Sequence, residues 1–379
     1  MKVLIVTPRY YPNTPGGGAR SIHLIAKALS EHVDLEVYCQ DGVKSEIGVV
    51  DGIRVSRKNL IFDGKTAMNL KCFKDIFGKN EYNLVHSYNM DLMPAVGLLT
   101  KLYPIRTVAT LNGRVYSRHS EWYDNLKNNP TVYQRLLGSS FLIRNALMKN
   151  LVKQIHRYTV LCHYRREVFV REGLNRDRIT IVPNILDTEF KTEKPVIGDK
   201  LRILFVGSPN WLKGLDILLQ AYSLLEKGNI ELIIVGVEQK DFPVNHEFDN
   251  PITFKGRIHY KKIPNMYANA DVYINSYRYP EPVSRSVMEA MQSGLPVITT
   301  GTPLLSPIVR DGLDGVLVYP IIPKKLAEAI QFLIDNPQLR RRMGQSSLRR
   351  VYEVCHPKRI ARLYLEVYRK TLEGKHDVS

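Results

Sequence analysis

Residues Glu281 to Ile298, EPVSRSVMEAMQSGLPVI, set two carboxylates eight positions apart, with a proline directly after the first and a Gly-x-Pro turn leading into a β-branched run. Pro282 disfavours helix at Glu281 and suits a first helical turn. The spacing therefore predicts a helix from near Val283 through Met291, with Glu281 at its mouth and Glu289 about a turn and a half inside. The first N–H groups of such a helix, at Val283, Ser284, Arg285 and Ser286, lie at the positive end of its dipole and make a seat for phosphate. Carboxylates accept hydrogen bonds from sugar and ribose hydroxyls, whereas phosphates repel them. Two readings fit this pattern on its own: a polyol held by carboxylates beside a phosphate seat, or an N-terminal acid followed by an exposed helix glutamate. A second stretch able to do chemistry is Gly16-Gly17-Gly18, with Arg20 close behind. Glycines let a backbone approach a phosphate or sugar closely, and an ordinary tight turn accounts for them equally. The stretch is not a Walker loop, because Gly-Lys-Ser/Thr is absent, and it does not match Gly-x-Gly-x-x-Gly. No Asp-x-Asp pair occurs anywhere in the chain.

The elements that must position these residues follow from composition and periodicity. At 379 residues, 44% of them apolar, the chain suits two soluble domains. No apolar run is long enough to span a bilayer, and the opening MKVLIVTPRYYPNTPGGG reads as a first strand, not a signal peptide. Cys39, Cys72, Cys162 and Cys355 form no Cys-x-x-Cys pair, so neither a zinc site nor a disulfide framework is indicated, and a reduced cytoplasmic setting is expected. The formal charge is +17, and residues 1–195 carry 29 Lys+Arg against 18 Asp+Glu. That balance favours anionic partners such as phosphorylated substrates or lipid head groups. Nucleic acid is not indicated, since no zinc-finger spacing, RNP-type motif or basic zipper is found.

Short β-branched runs alternate with helical patterns. Val3–Thr7, Leu35–Cys39, Leu84–His86, Thr107–Thr110, Tyr158–Leu161 and Thr180–Val182 form one series of strands. Leu201–Val206, Glu231–Val235, Ile252–Phe254, Val272–Asn275, Val297–Thr300 and Val316–Val318 form a second. Helical spacing at Ser21–Ser30, Leu215–Glu226 and Lys324–Asp335 separates them. Strand followed by helix, repeated, gives parallel sheets covered on both faces. Two series give an α/β chain of two doubly wound, Rossmann-like domains, with strand ends facing a cleft. The polar stretch Asn184–Lys200 reads as the linker. Residues from about Pro357, with Ile360, Leu363, Leu365 and Val367, form a helix left over beyond a complete sheet. Packing back onto the N-terminal domain is one way to bury it.

Several motifs in order carry a resemblance. They are Gly16-Gly17-Gly18; Val182-Pro-Asn-Ile-Leu-Asp-Thr-Glu-Phe190, similar to a PNG-x-D-x-x-x-F turn; Phe205-Val-Gly-Ser-Pro-Asn-Trp-Leu-Lys-Gly214; Phe254-Lys-Gly256; Tyr267-Ala-Asn-Ala-Asp-Val-Tyr-Ile274; the Glu-x7-Glu of residues 281–289; and Gly312-Leu-Asp-Gly-Val-Leu-Val318. In this order they resemble the GT-B glycosyltransferases, specifically the retaining family 4. The resemblance implies an acceptor-binding domain over 1–190, a donor-binding domain over 191–356 and a helix over 357–379 that crosses back to the first domain. It implies that Glu281 contacts hydroxyls of the transferred sugar, that Glu289 holds the ribose, and that Lys213 neutralises the diphosphate beside Gly207 and Ser208. It further implies that Gly16–Gly18 close over the reaction centre and that no metal or other cofactor is needed. Three departures stand out. Ser208 occupies the place of a phosphate-binding arginine, for which Arg285 or Arg20 are substitutes. Asn112, in Thr110-Leu-Asn-Gly113, stands where the family has a histidine that hydrogen-bonds the donor sugar. Ser284 and Pro307 replace a glycine and a glutamate.

The expected function is transfer of a sugar, with retention, from a UDP- or GDP-type nucleotide sugar to a hydroxyl acceptor in surface polysaccharide or glycolipid synthesis. A catalytically silent sugar-nucleotide-binding protein and a nucleotide-sugar epimerase are the alternatives. His86 has two readings, a cleft residue or a satisfied structural histidine. Leu142–Lys153, with Arg144, Lys149 and Lys153 among apolar residues, reads either as a face for an anionic membrane or as a core-facing helix with a solvated basic side. A lipid-linked acceptor and a cytoplasmic, peripherally membrane-bound location accompany the first of these readings.

Overall fold

Val3 and Ile5 face one side of the first strand and Leu4 and Val6 the other, and all four are buried. A strand apolar on both faces requires cover on both, and the computed structural model supplies it. The structure describes residues 1–14, 16–41, 46–58, 81–88, 92–112, 149–190, 192, 200–241, 248–278, 284–301 and 308–374. The chain divides into two compact units: residues 1–161, 165–185 and 357–379, and residues 162–164 and 186–356. The described helices are α1 (Gly17–Ser30), α2 (Met93–Leu102), α3 (His163–Arg171), α4 (Leu215–Tyr222), α5 (Ile263–Ala268), α6 (Arg285–Gln292), α7 (Pro323–Asp335), α8 (Pro337–Cys355) and α9 (Pro357–Glu373).

In the first unit, β1 (Lys2–Thr7), β2 (Asp34–Cys39), β3 (Glu46–Val50), β4 (Ile53–Arg57), β5 (Leu84–Tyr88), β6 (Arg106–Thr110), β7 (Arg157–Val160) and β8 (Ile179–Ile181) form one sheet in the order β3-β4-β2-β1-β5-β6-β7-β8. All pairs are parallel except β3 with β4. This hairpin is absent from the sequence-derived strand series. Its turn is Asp51-Gly52, both at positive φ (48° and 80°), the geometry that suits a two-residue hairpin. α1 and α9 cover the face bearing Val3, Ile5, Val37 and Val55, and α2 contributes Met93, Val96 and Leu99 to the opposite face. The leftover helix thus packs back on the first unit. Its buried stripe is Ile360, Ala361, Tyr364, Val367, Tyr368 and Thr371, while Leu363 and Leu365 are only partly buried.

In the second unit, β9 (Leu201–Val206), β10 (Ile230–Val235), β11 (Ile252–Phe254), β12 (Val272–Asn275), β13 (Val297–Thr300) and β14 (Gly315–Val318) form a parallel sheet in the order β11-β10-β9-β12-β13-β14. Ile203 and Phe205 pack with α4 and α7, and Leu204 with α5, α6 and α8. The strands run outward from β9 to one edge, then return to its other side at β12. A crevice beyond the carboxyl ends of β9 and β12 is where such a sheet binds ligands. The sequence-derived linker begins too early. Leu186 and Phe190 are buried in the core of this unit, and Leu186 N donates to Cys355 O at 2.9 Å.

Candidate functional site

β9 ends at Val206, and Gly207 N donates to Val235 O on the neighbouring strand at 3.0 Å. Ser208 O accepts from Asn210 N at 2.7 Å, and Asn210 Oδ1 in turn accepts from Leu212 N at 2.9 Å, which starts a 3-10 turn over Trp211–Lys213. Gly214 closes that turn at φ +61°, and a Cβ there would lie 2.0 Å from Ser276 O, so only glycine fits. Across the switch point, the segment following β12 grips the same turn. Ser276 Oγ lies 3.0 Å from both Lys213 O and Gly214 O, Arg278 N donates to Leu212 O at 2.9 Å, and Arg278 Nε donates to Trp211 O at 3.1 Å. The Arg278 guanidinium stacks 4.5 Å from the Trp211 ring centroid and pairs with Asp216. Lys213 Nζ sits 4.7 Å from the centroid of the Tyr277 ring.

The helix after this segment, α6, starts later than the spacing suggests. Ser284 is its N-cap, with Oγ accepting from Val287 N at 3.3 Å, and Arg285 is the first helical residue. Ser284 Oγ also lies 3.0 Å from Ser286 Oγ. The serine is a better cap than the residues before it, and it moves the helical start from Val283 to Arg285. Val283 and Glu281 lie outside the described residues. Glu289 is not an exposed helix glutamate: it is 6% exposed, and Tyr267 Oη donates to its Oε2 at 3.2 Å. Burial pushes its carboxyl up to about 7, Asp187 adds to the rise, and the charge of Arg285 and the Tyr267 bond oppose it. Tyr260 Oη donates to Asp187 Oδ2 at 3.1 Å, and Gln292 Nε2 donates to the carbonyls of Asp187 and Phe190, both at 2.8 Å. Asp187, Tyr260, Tyr267, Gln292, Tyr277 and Arg278 went unread in the sequence. Their partners lie tens of residues away, and of the six only Asp187 and Tyr267 fall inside recognised motifs.

Gly16–Gly18, Arg20 and Asn112 belong to the first unit. The three glycines are a helix start, not a loop: Gly16 is the N-cap of α1 at φ 126°, and Gly17 and Gly18 lie in its first turn. The Arg20 guanidinium stacks 4.8 Å from the Tyr11 ring centroid. Asn112 follows β6, and its Oδ1 is buried with no hydrogen-bond partner among the described residues. His86 is a satisfied structural histidine. Its ring nitrogens lie 2.7 Å from Tyr368 Oη and 2.7 Å from Thr110 Oγ1, and burial lowers its pKa to about 3. Of Leu142–Lys153 only residues 149–153 are described; there Lys149 pairs with Glu172 at 2.7 Å and Val152 is buried. Pro307 also lies outside the described residues. Among the described residues no helix is long and apolar enough to cross a membrane, and no group of three or more His, Cys, Asp or Glu side chains is placed to hold a metal.

Two family models match in tandem: Glycosyltransferase Family 4 over residues 15–190 and Glycosyl transferases group 1 over residues 187–350. The chain is 30% identical to spore coat protein SA of Bacillus subtilis over 197 residues, 48% of this chain and 52% of that protein. It thus spans about half the length of the first curated relatives it matches. It is 23% identical to O-antigen chain mannosyltransferase C of Escherichia coli over 397 residues, 99% of this chain and 100% of that protein. Among solved structures, Anabaena HepE in complex with UDP-glucose superposes with a TM-score of 0.74 at 18% identity, covering 98% of this chain and 100% of that one. Two tandem matches that meet at the unit boundary, on two parallel-sheet α/β units, place the chain in the group 1, family 4 glycosyltransferases of GT-B fold.

Proposed function

We propose that the chain transfers a sugar from a UDP- or GDP-type nucleotide sugar to a hydroxyl acceptor, with retention and without a metal. The observation that carries this reading is the switch point of the second sheet, where Lys213 stands after β9 and the buried Glu289 stands on the helix after β12. UDP-glucose bound to HepE, and the O-antigen role named for the Escherichia coli relative, support the donor class and a surface-polysaccharide or glycolipid product.

In this reading Lys213 and the first turn of α6, Ser284 to Ser286, hold the diphosphate beside Gly207 and Ser208. Glu289 accepts from the ribose hydroxyls and Glu281 from hydroxyls of the transferred sugar. The Asn112 amide hydrogen-bonds the donor sugar, and Gly16–Gly18 with Arg20 serve the reaction from the first unit. The bond from the sugar's anomeric carbon to the diphosphate oxygen breaks as the acceptor oxygen bonds that carbon on the same face. The acceptor proton passes to the leaving phosphate oxygen, and Lys213 stabilises the charge that develops there. The basic first half suits a lipid-linked acceptor at the cytoplasmic face of an anionic membrane.

Thermal shifts with UDP-, GDP-, ADP- and dTDP-sugars in EDTA test the reading. Stabilisation by one nucleotide class, lost in Glu289→Ala, together with slow donor hydrolysis, is the expected result. Binding without any sugar release would instead identify a silent sugar-nucleotide-binding protein.

A further inference from the structure

The turn that carries Lys213 is unusually constrained. Each of its residues from Trp211 to Gly214 is held by Ser276 or Arg278 through the contacts given above, and Asp216 at the start of α4 completes the clamp through Arg278. Tyr277 is the residue between those two anchors. It presents its ring face to the Lys213 ammonium at 4.7 Å. A carboxylate at that place would cancel the lysine's charge and compete with an incoming phosphate. An aromatic face attracts an ammonium through its quadrupole and leaves the net charge in place.

We propose that Tyr277 is a positioning residue that holds the Lys213 ammonium over the switch point between β9 and β12, ready for a nucleoside diphosphate. The inference deepens the glycosyl-transfer reading and rests on it, since it concerns how the proposed donor site keeps its cation. It also gives a physical role to the clamp. With serine at position 208, the lysine is the cation that follows β9 most directly, and its aim is set by the residues following β12. Flanking Tyr277 by two anchored residues fixes the ring relative to the turn, so the lysine side chain has a defined place to rest.

The test is calorimetric titration of the full chain with UDP, UMP and GDP, comparing wild type with Tyr277→Phe and Tyr277→Leu. Phenylalanine keeps the ring face, and its diphosphate affinity is expected to stay close to that of wild type. Leucine keeps the apolar bulk and loses the quadrupole, and its diphosphate affinity is expected to fall about two- to five-fold with UMP affinity unchanged. A general packing role would lower UMP and UDP affinity together, and that result overturns the proposal, as does equal UDP binding by wild type and Tyr277→Leu. Wild type binding neither UDP nor GDP overturns the donor reading itself and this proposal with it. Diphosphate-selective loss in Tyr277→Leu alone supports both.

Discussion

Glu289 shows at the residue scale what spacing reveals and what it hides. Its place eight residues after Glu281 is visible in the sequence, but its burial is not, because the groups around it come from elsewhere. Tyr267 lies on α5, Asp187 on the segment that enters the second unit, and Tyr260 before α5. A buried carboxyl with a pKa near 7 is mostly ionised at pH 8 and mostly neutral at pH 6. Ribose hydroxyls donate best to the ionised form. Nucleotide affinity is therefore expected to fall about tenfold from pH 8 to pH 6, measured by titration with the nucleotide that binds, and Glu289→Gln should flatten that profile. The stability linkage has a definite sign. The folded pKa lies above the unfolded value of 4.5, so the folded state takes up the proton first. Its contribution is present below about pH 4.5 and is lost as the pH rises through 7. At pH 8 the free protein carries a penalty of about 3 kcal/mol from this group, and Glu289→Gln should unfold at higher denaturant than wild type there. A pH-independent difference between the two would show that the carboxyl is already ionised in the free protein.

At the scale of elements, the parallel strands were legible because each is a short β-branched run followed by helical spacing. The β3–β4 hairpin was missed although Asp51-Gly52 is a strong turn signal, since β3 has no core pattern: Ile47 and Val49 are 65% and 71% exposed. An edge strand is written by its turn and its partner more than by its own residues. β4 brings the buried Arg57 into a pair with the half-buried Asp41 at 2.6 Å, and the same guanidinium donates to the carbonyls of Tyr10, at 3.4 Å, and Tyr11, at 2.7 Å. Asp41 Oδ2 also accepts from Tyr10 N at 2.8 Å and Thr14 Oγ1 at 2.6 Å. The hairpin thereby braces the segment between β1 and the glycines that open α1. Removing one partner of a fully buried pair leaves the other uncompensated and costs about 3–5 kcal/mol, which bounds the loss here from above because Asp41 is only half-buried. Arg57→Met and Asp41→Asn should each lower the unfolding free energy obtained from urea titration by up to that amount, and the double variant should lose less than the two combined. Additive losses would mean the two residues act separately on the loop. The early start of the linker has a related cause. Leu186 and Phe190 lie in a stretch with no strand or helix periodicity to mark them, yet both are buried.

For the whole molecule, the sequence foretold a helix that outlives the second sheet, and the structure shows why it must return. The aliphatic residues that mark α9 in the sequence are Ile360, Leu363, Leu365 and Val367, but its largest completely buried side chains are Tyr364 and Tyr368. Tyrosine can occupy such a position because its hydroxyl has a partner there: Tyr368 Oη meets His86 Nδ1 at 2.7 Å. Burial holds His86 neutral, with a folded pKa of about 3 against 6.5 unfolded. Its contribution to stability is thus complete above about pH 6.5 and lost as the pH falls through 3. Tyr368→Phe removes the hydroxyl, leaves a buried ring nitrogen unsatisfied and should cost about 1–3 kcal/mol. The larger test is a chain ending at His356. Without α9, the face of Val3, Ile5, Val37 and Val55 would be left open to water, whereas the second unit's sheet keeps α4 to α8. Hydrogen exchange on that chain should show lost protection at β1, β5 and β6 and retained protection at β9, β12 and β13. Retained protection at β1 would mean that the first unit's core stands without its last helix, and that the tyrosines of α9 are cover with no share in folding.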